Sequence, residues 1–302
     1  VLRAIGDFRR PLYFLMAASL CNIVLDLLLV VVFHMGVAGV AIATICSQLL
    51  SAVLVVISLM RSEMTPYQLF PKRLRIYAMP MRSILMIGVP TALQSVMYNA
   101  SNIVIQASIN SFGTDAVAAW TAYGKMDIIF WMTITAMAQS ITTFAGQNFG
   151  AQKYDRIRQS VWVCMGMSVV LTGAMSALVI TFRPVILGIY TTDPAVIRLG
   201  AYVMAWTVPF NALFMPVEVF AGAMRGTGCS VLPTVITCVC VCVFRVVWIF
   251  TVVRTWHRIE LLAVCYPLSW LLAATVFSIV YFQGGWLRRR IAQCGMEPEV
   301  RV

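Results

Sequence analysis

Eight runs of predominantly apolar residues, each about 20 residues or more, limit what this chain can become more than any other feature. They cover approximately residues 11–33, 37–60, 84–111, 116–145, 160–182, 196–223, 233–253 and 261–282. A helix of that length crosses the hydrocarbon of a bilayer while satisfying its own backbone hydrogen bonds. Barrel strands would be shorter and alternate apolar with polar residues, and these runs do not alternate. The chain is 61% hydrophobic and 11% charged, with a mean hydropathy of +0.89. A soluble domain carries about 25% charged residues. The expected fold is an all-α integral membrane protein, a polytopic helix bundle of about eight spans.

The charges set the expected orientation. Lys and Arg outnumber Asp and Glu by 22 to 11, a net charge of +11. Sixteen of the 22 fall in residues 1–10, 61–82, 146–158, 222–232 and the tail beyond 282; three fall in the loops on the other side. This bias marks the basic side as cytoplasmic. Both termini of the segment are then cytoplasmic, in a plasma (inner) membrane protein, and membrane lipid rather than nucleic acid is the partner the charge implies. Nine cysteines lie mostly inside apolar runs, as in Cys238-Val-Cys-Val-Cys242, where they serve as small packing residues. His34 and His257 are far apart, so no metal site is expected. The first residue is Val1 and no signal peptide is visible; the chain is expected to be part of a longer one.

An internal repeat gives those runs an order. Residues 3–11 read Arg3-x-x-Gly6-x4-Pro11, and residues 225–233 read Arg225-x-x-Gly228-x4-Pro233. The offset is 225 − 3 = 222 at all three positions. Both copies lie on the basic side and precede a two-span hairpin. Duplicated parallel halves are a common plan of secondary transporters. On that plan residues 1–60 close an N-terminal lobe, 61–82 form a basic cytoplasmic linker, 83–285 form a six-span C-terminal lobe, and 286–302 are a cytoplasmic tail.

Polar groups inside a bilayer are costly and usually functional. Asn22 and Asp26 share one face of the first span, and Asp26 lies about 22 Å along it from Pro11 at 1.5 Å per residue. With Thr44 on the second span they supply an amide, a carboxylate and a hydroxyl, suited to a hard cation or an exchangeable proton. An interhelical polar clamp is the other reading. On the third span Thr91, Gln94, Ser95, Tyr98, Asn99, Asn102 and Gln106 fall within about 140° of arc at 100° per residue. That stripe lines either a wet substrate cavity or a helix interface. The fourth span adds Lys125, Gln139, Thr121 and Thr143, with Asp127 two residues past the lysine. Glu218 on the sixth span and Arg245 on the seventh have opposite charges. They are expected to form an intramembrane pair, with either a structural or a gating role. Pro209 and Pro216 mark a break in the sixth span. Loop 146–158 lacks the Gly-Lys-Ser/Thr ending of a phosphate loop. No nucleophile–base arrangement stands out, and no enzyme activity is expected.

Five motifs occur in order: Leu2-Arg-Ala-Ile-Gly-Asp7, Asn22-Ile-Val-Leu-Asp26, Gly36-Val-Ala-Gly-Val-Ala-Ile-Ala-Thr44, Gly146-Gln-Asn-Phe-Gly-Ala151 and Gly222-Ala-Met-Arg-Gly-Thr-Gly228. Together they resemble the multidrug and toxic compound extrusion (MATE) family over nearly the whole chain. The resemblance implies a twelve-helix, two-lobe transporter. It exports organic cations and other amphipathic compounds in exchange for Na⁺ or H⁺, with no cofactor. The first two spans here would be its fifth and sixth helices and the other six its complete C-lobe. Asn22, Asp26 and Thr44 match three members of the family's N-lobe coupling site. Some members carry an acid on the seventh helix, where the third span here has only amides. Gln94, Tyr98, Asn99, Asn102, Gln106, Lys125 and Gln139 are the expected substrate-cavity residues, and the full-length protein is expected to work as a monomer. The alternatives are a lipid-linked saccharide flippase of related fold, and a non-transporting scaffold or inactive fragment.

Overall fold

A run of apolar residues becomes a helix wherever nothing competes for its backbone bonds, and each of the eight runs does so in the computed structural model. It describes residues 2–62, 67–71 and 74–294. The linker residues Lys72 and Arg73 and the tail residue Arg301 lie outside the described residues. The helices are α1 (Arg9–Val32), α2 (Gly36–Met60), α3 (Ala78–Asn110), α4 (Thr114–Gly150), α5 (Tyr154–Gly188), α6 (Pro194–Gly226), α7 (Val231–Trp256) and α8 (Ile259–Phe282). A short helix, α9 (Gly285–Gln293), follows. No strand occurs among the described residues. Seven of the eight long helices are apolar enough by composition to cross a membrane. The exception, α3, has 33 residues and the length to cross; its stripe of amides and hydroxyls lowers its hydropathy.

The chain divides into two units, Val1–Ala78 and Met79–Val302. In the first, α1 and α2 pack along a seam of small residues, with Ala18, Gly39, Ala43 and Ser47 buried. A Cβ on Gly39 would lie 3.1 Å from the Cβ of Leu29, so glycine lets the start of α2 pass close to α1. The regular α-helix of α1 stops at Asp26, and Leu27–Val32 form a π-helical turn. Phe33 N–H donates to the Leu28 carbonyl, five residues back, at 3.0 Å.

The second unit is built round α4 and α6, which approach through glycine. Cβ atoms added at Gly222 or Gly226 would collide with the α4 backbone or with Ile141 and Thr142. α6 is not one continuous α-helix. Val208–Phe214 tighten into a 3₁₀ turn whose second residue is Pro209, which cannot donate a helical bond. The Ser176 hydroxyl of α5 donates to the Val208 carbonyl at 3.0 Å, satisfying an acceptor at this break. α7 is interrupted by π turns at Cys238–Val243 and Ile249–Val253, which flank the α-helical piece Phe244–Trp248. α3 joins the unit through Ile105 and Ile109, packed with Ile249, Val253 and Leu262, and through Ser230 Oγ donating to the Met86 carbonyl at 2.9 Å.

The 222-residue offset reappears in the backbone. α1 begins at Arg9 and α7 at Val231. Gly6 and Gly228 hold φ of +87° and +86°. The π turn Leu27–Val32 shifts by 222 onto residues 249–254, and a π turn occupies Ile249–Val253.

Candidate functional site

The first candidate group lies on α1. Asn22 and Asp26 are four residues apart and both half-buried. The Asn22 Nδ2 and the Asp26 Oδ1 are shielded from solvent, and neither has a hydrogen-bond partner. Asp26 is also the last residue before the π turn, where the backbone leaves its regular ladder. Such single-turn bulges occur frequently at functional sites. Thr44 is exposed and its hydroxyl donates back to the Val40 carbonyl of its own helix at 2.8 Å. Asn22 and Asp26 thus lie one turn apart on α1, and the Thr44 hydroxyl is engaged with its own helix.

The expected cavity residues are distributed along two helices. The Gln94 Oε1 accepts from Thr234 Oγ1 of α7 at 3.5 Å. The Tyr98 ring meets Trp131 edge-on at 6.1 Å between centroids. Asn99 donates to its own helix at Ser95 O (2.8 Å), and Gln106 donates to Asn110 Oδ1 (3.0 Å). Asn102, Lys125 and Gln139 are exposed. Gln94 and Tyr98 are thus packing as well as polar positions, while the other five stay on the surface of the unit.

The expected Glu218–Arg245 pair does not form. Glu218 Oε2 instead accepts from Arg225 Nη2 at 2.9 Å, both residues lying on α6. Seven residues is two helical turns, so these long side chains lie along one face. Arg245 is 1% exposed. Its Nε donates to Ser269 Oγ at 3.0 Å, and its guanidinium carbon lies 4.1 Å from the Tyr266 ring centroid. An aromatic face attracts a guanidinium electrostatically, and this contact together with a hydroxyl acceptor takes the place of the carboxylate.

Asp127, to which the sequence assigns no role, is a half-buried carboxylate of this unit. Its Oδ2 accepts from Trp131 Nε1 at 2.8 Å, and Tyr123 and Asn211 face it. The signal was present as an acid in an otherwise apolar helix, with a tryptophan four residues on to reach it. Among the described residues no cluster of His, Cys, Asp and Glu could hold a metal ion.

Residues 90–251, more than half of the chain, match the sequence profile of the MatE family. The chain belongs to the MatE family. Its members are membrane transporters and not enzymes, and they need no cofactor. The chain is 26% identical over 303 residues to the probable multidrug resistance protein YoeA of Bacillus subtilis, covering 97% of this chain and 64% of YoeA. It is 23% identical over 300 residues to the probable multidrug resistance protein NorM of Thermotoga maritima, covering 96% of this chain and 63% of NorM. The chain therefore spans a little under two thirds of these relatives. The Vibrio cholerae MATE transporter VcmN in its bent form shares the fold: TM-score 0.82 at 20% identity, over 96% of this chain and 65% of VcmN.

Proposed function

We propose that this MatE chain is part of a cation-coupled antiporter that exports amphipathic organic cations, drugs or toxic metabolites by alternating access. The observation that carries the reading is the Asn22–Asp26 pair. It is an amide and a carboxylate, one helical turn apart, whose Nδ2 and Oδ1 atoms are shielded from water and without a hydrogen-bond partner, at the α-to-π junction of α1. A carboxylate so placed is stabilised by H⁺ or by Na⁺, since each removes its unpaired charge. Binding that ion on one side and releasing it on the other drives substrate in the opposite direction. The names of YoeA and NorM support the substrate class. Asn99, Asn102, Gln106, Lys125 and Gln139, exposed on α3 and α4, supply polar contacts for substrate. The basic loops face the cytoplasm, the membrane is the plasma membrane, and the full-length protein acts as a monomer.

The test is efflux of ethidium from cells making the full-length transporter with Asp26→Asn. Expected is loss of efflux driven by a pH or Na⁺ gradient, by about tenfold or more, equivalent to about 1.4 kcal/mol of coupling. Undiminished gradient-driven efflux would overturn the reading.

A further inference from the structure

We propose that the side chains round Arg245 form a buried anion-binding site, taking a carboxylate, phosphate or halide. Arg245 is among the largest fully buried side chains of the unit. Its Nε is bonded to Ser269, and the face of its guanidinium lies against Tyr266 at 4.1 Å, with the Tyr98 and Trp270 rings at 5.7 and 6.0 Å. Rings satisfy the face of a guanidinium but not its N–H edge. Nη2 on that edge has no acceptor. Among the described residues no carboxylate lies within ion-pairing distance. Glu218 is held by Arg225, and the Asp127 Oδ2 by Trp131.

The residues packed round the guanidinium share the same shortage. Trp270 Nε1, which can only donate, is buried and unbonded. The Tyr98 hydroxyl, which can accept as well as donate, faces the guanidinium but falls short of hydrogen-bond geometry with it. The cluster therefore holds a positive charge that no carboxylate touches, with Asp127 acting on it only from beyond ion-pairing distance, and two donors, Arg245 Nη2 and Trp270 Nε1, that have no acceptor. A buried arginine kept for packing alone has its N–H groups on carbonyls or a carboxylate, because an unpaired buried charge is costly. The guanidinium fork fits a two-oxygen anion. Tyr98 and Tyr266, both half-buried, separate it from the surface of the unit.

The internal repeat sharpens the inference. Shifted by 222, Arg245 falls on residue 23, beside Asn22, and in each copy a π turn follows. The first copy leaves an acceptor unpaired, Asp26 Oδ1; the second leaves a donor unpaired, Arg245 Nη2. Repeat-related helices thus carry sites of opposite sign, a cation site on α1 and an anion site on α7. The anion site does not depend on Asp26 coupling any ion.

The test uses purified full-length protein in detergent and two probes. Chloride is titrated against gluconate by thermal stability; fluorescein, an aromatic carboxylate, is titrated by fluorescence anisotropy. Rhodamine 6G, a related ring system without a free carboxylate, is the control. Saturable binding of chloride identifies a free inorganic anion as the occupant. Saturable binding of fluorescein alone identifies an anion carried on a substrate. In either case Arg245→Lys, which keeps the charge but loses the fork, is expected to weaken binding about tenfold. Tyr98→Phe and Trp270→Phe keep their rings and are expected to weaken it less, with rhodamine 6G unaffected in all three. The proposal is overturned if neither probe binds saturably, if Arg245→Lys binds as the parent does, or if rhodamine 6G binding falls in parallel with fluorescein.

Discussion

Gly6 and Gly228 stand 222 residues apart and hold the same left-handed backbone, φ +87° and +86°. Each closes the turn that leads into a membrane helix, α1 or α7. A side chain in this region costs about 1–2 kcal/mol. At Gly228 a second cost is added. A Cβ there would lie 2.5 Å from Arg290 Nη2, and the Arg290 side chain also donates from Nε to the Thr227 carbonyl at 3.0 Å. Gly228→Ala is therefore expected to destabilise more than Gly6→Ala, because it strains the turn and displaces the arginine that ties α9 to it. Unfolding of the two variants in mixed micelles measures the difference; equal losses would remove the Arg290 contribution.

The α4–α6 seam makes a sharper demand. A Cβ at Gly226 would run into the Thr142 carbonyl and come within 3.1 Å of the Gly146 amide nitrogen, both backbone. Backbone cannot swing aside as a side chain does. Gly226→Ala is expected to cost about 3 kcal/mol, at the upper end for overpacking. Gly124→Ala, on the same α4 helix with nothing within 4 Å, is expected to be neutral or stabilising. Thermal melting of the pair checks both signs.

These glycines also show what the sequence made legible. The helices were legible because apolar length is a property of the residues themselves, and the Arg-x-x-Gly repeat was legible because it is a spacing. The π turns after Asp26 and around Arg245 were not. Leu-Leu-Leu-Val-Val-Val and Cys-Val-Cys-Val-Cys-Val read equally well as plain α-helix, and only packing against neighbours selects the wider turn. The partner of Arg245 was not legible either. Opposite charges on adjacent spans suggested Glu218, but which side chains meet depends on rotation about each helix axis. Rotation is set by contacts such as Gly222 on Ile141, which involve neither charge.

The Glu218–Arg225 bond allows that correction to be tested in energy terms. Each side chain is 17% exposed, so water screens the pair only in part. Double-mutant cycles with Glu218→Gln are expected to give a coupling of about 0.5–3 kcal/mol with Arg225→Gln, and below about 0.5 kcal/mol with Arg245→Lys. A larger coupling to Arg245 than to Arg225 would restore the pair expected from sequence.

Two cysteines at the ends of the helices, in or beside the basic segments, test burial and the proposed orientation together. Cys294 is exposed at the end of α9, and Cys229 is half-buried in the turn between α6 and α7. Burial pushes the Cys229 thiol above its usual pKa, against a smaller opposing pull from the Leu232 backbone amide and Arg290. The thiolate is the reactive form, so a raised pKa leaves less of it near neutrality. In variants that keep one cysteine each, maleimide is expected to label Cys294 rapidly and Cys229 slowly. The Cys229 rate should still be climbing at pH 9, because its thiolate fraction continues to grow there. On the proposed orientation a membrane-impermeant maleimide reaches Cys294 in inside-out vesicles and not in intact cells. Labelling of Cys294 in intact cells would reverse the assigned sides, and equal rates for the two thiols at pH 7 would show the turn open to solvent.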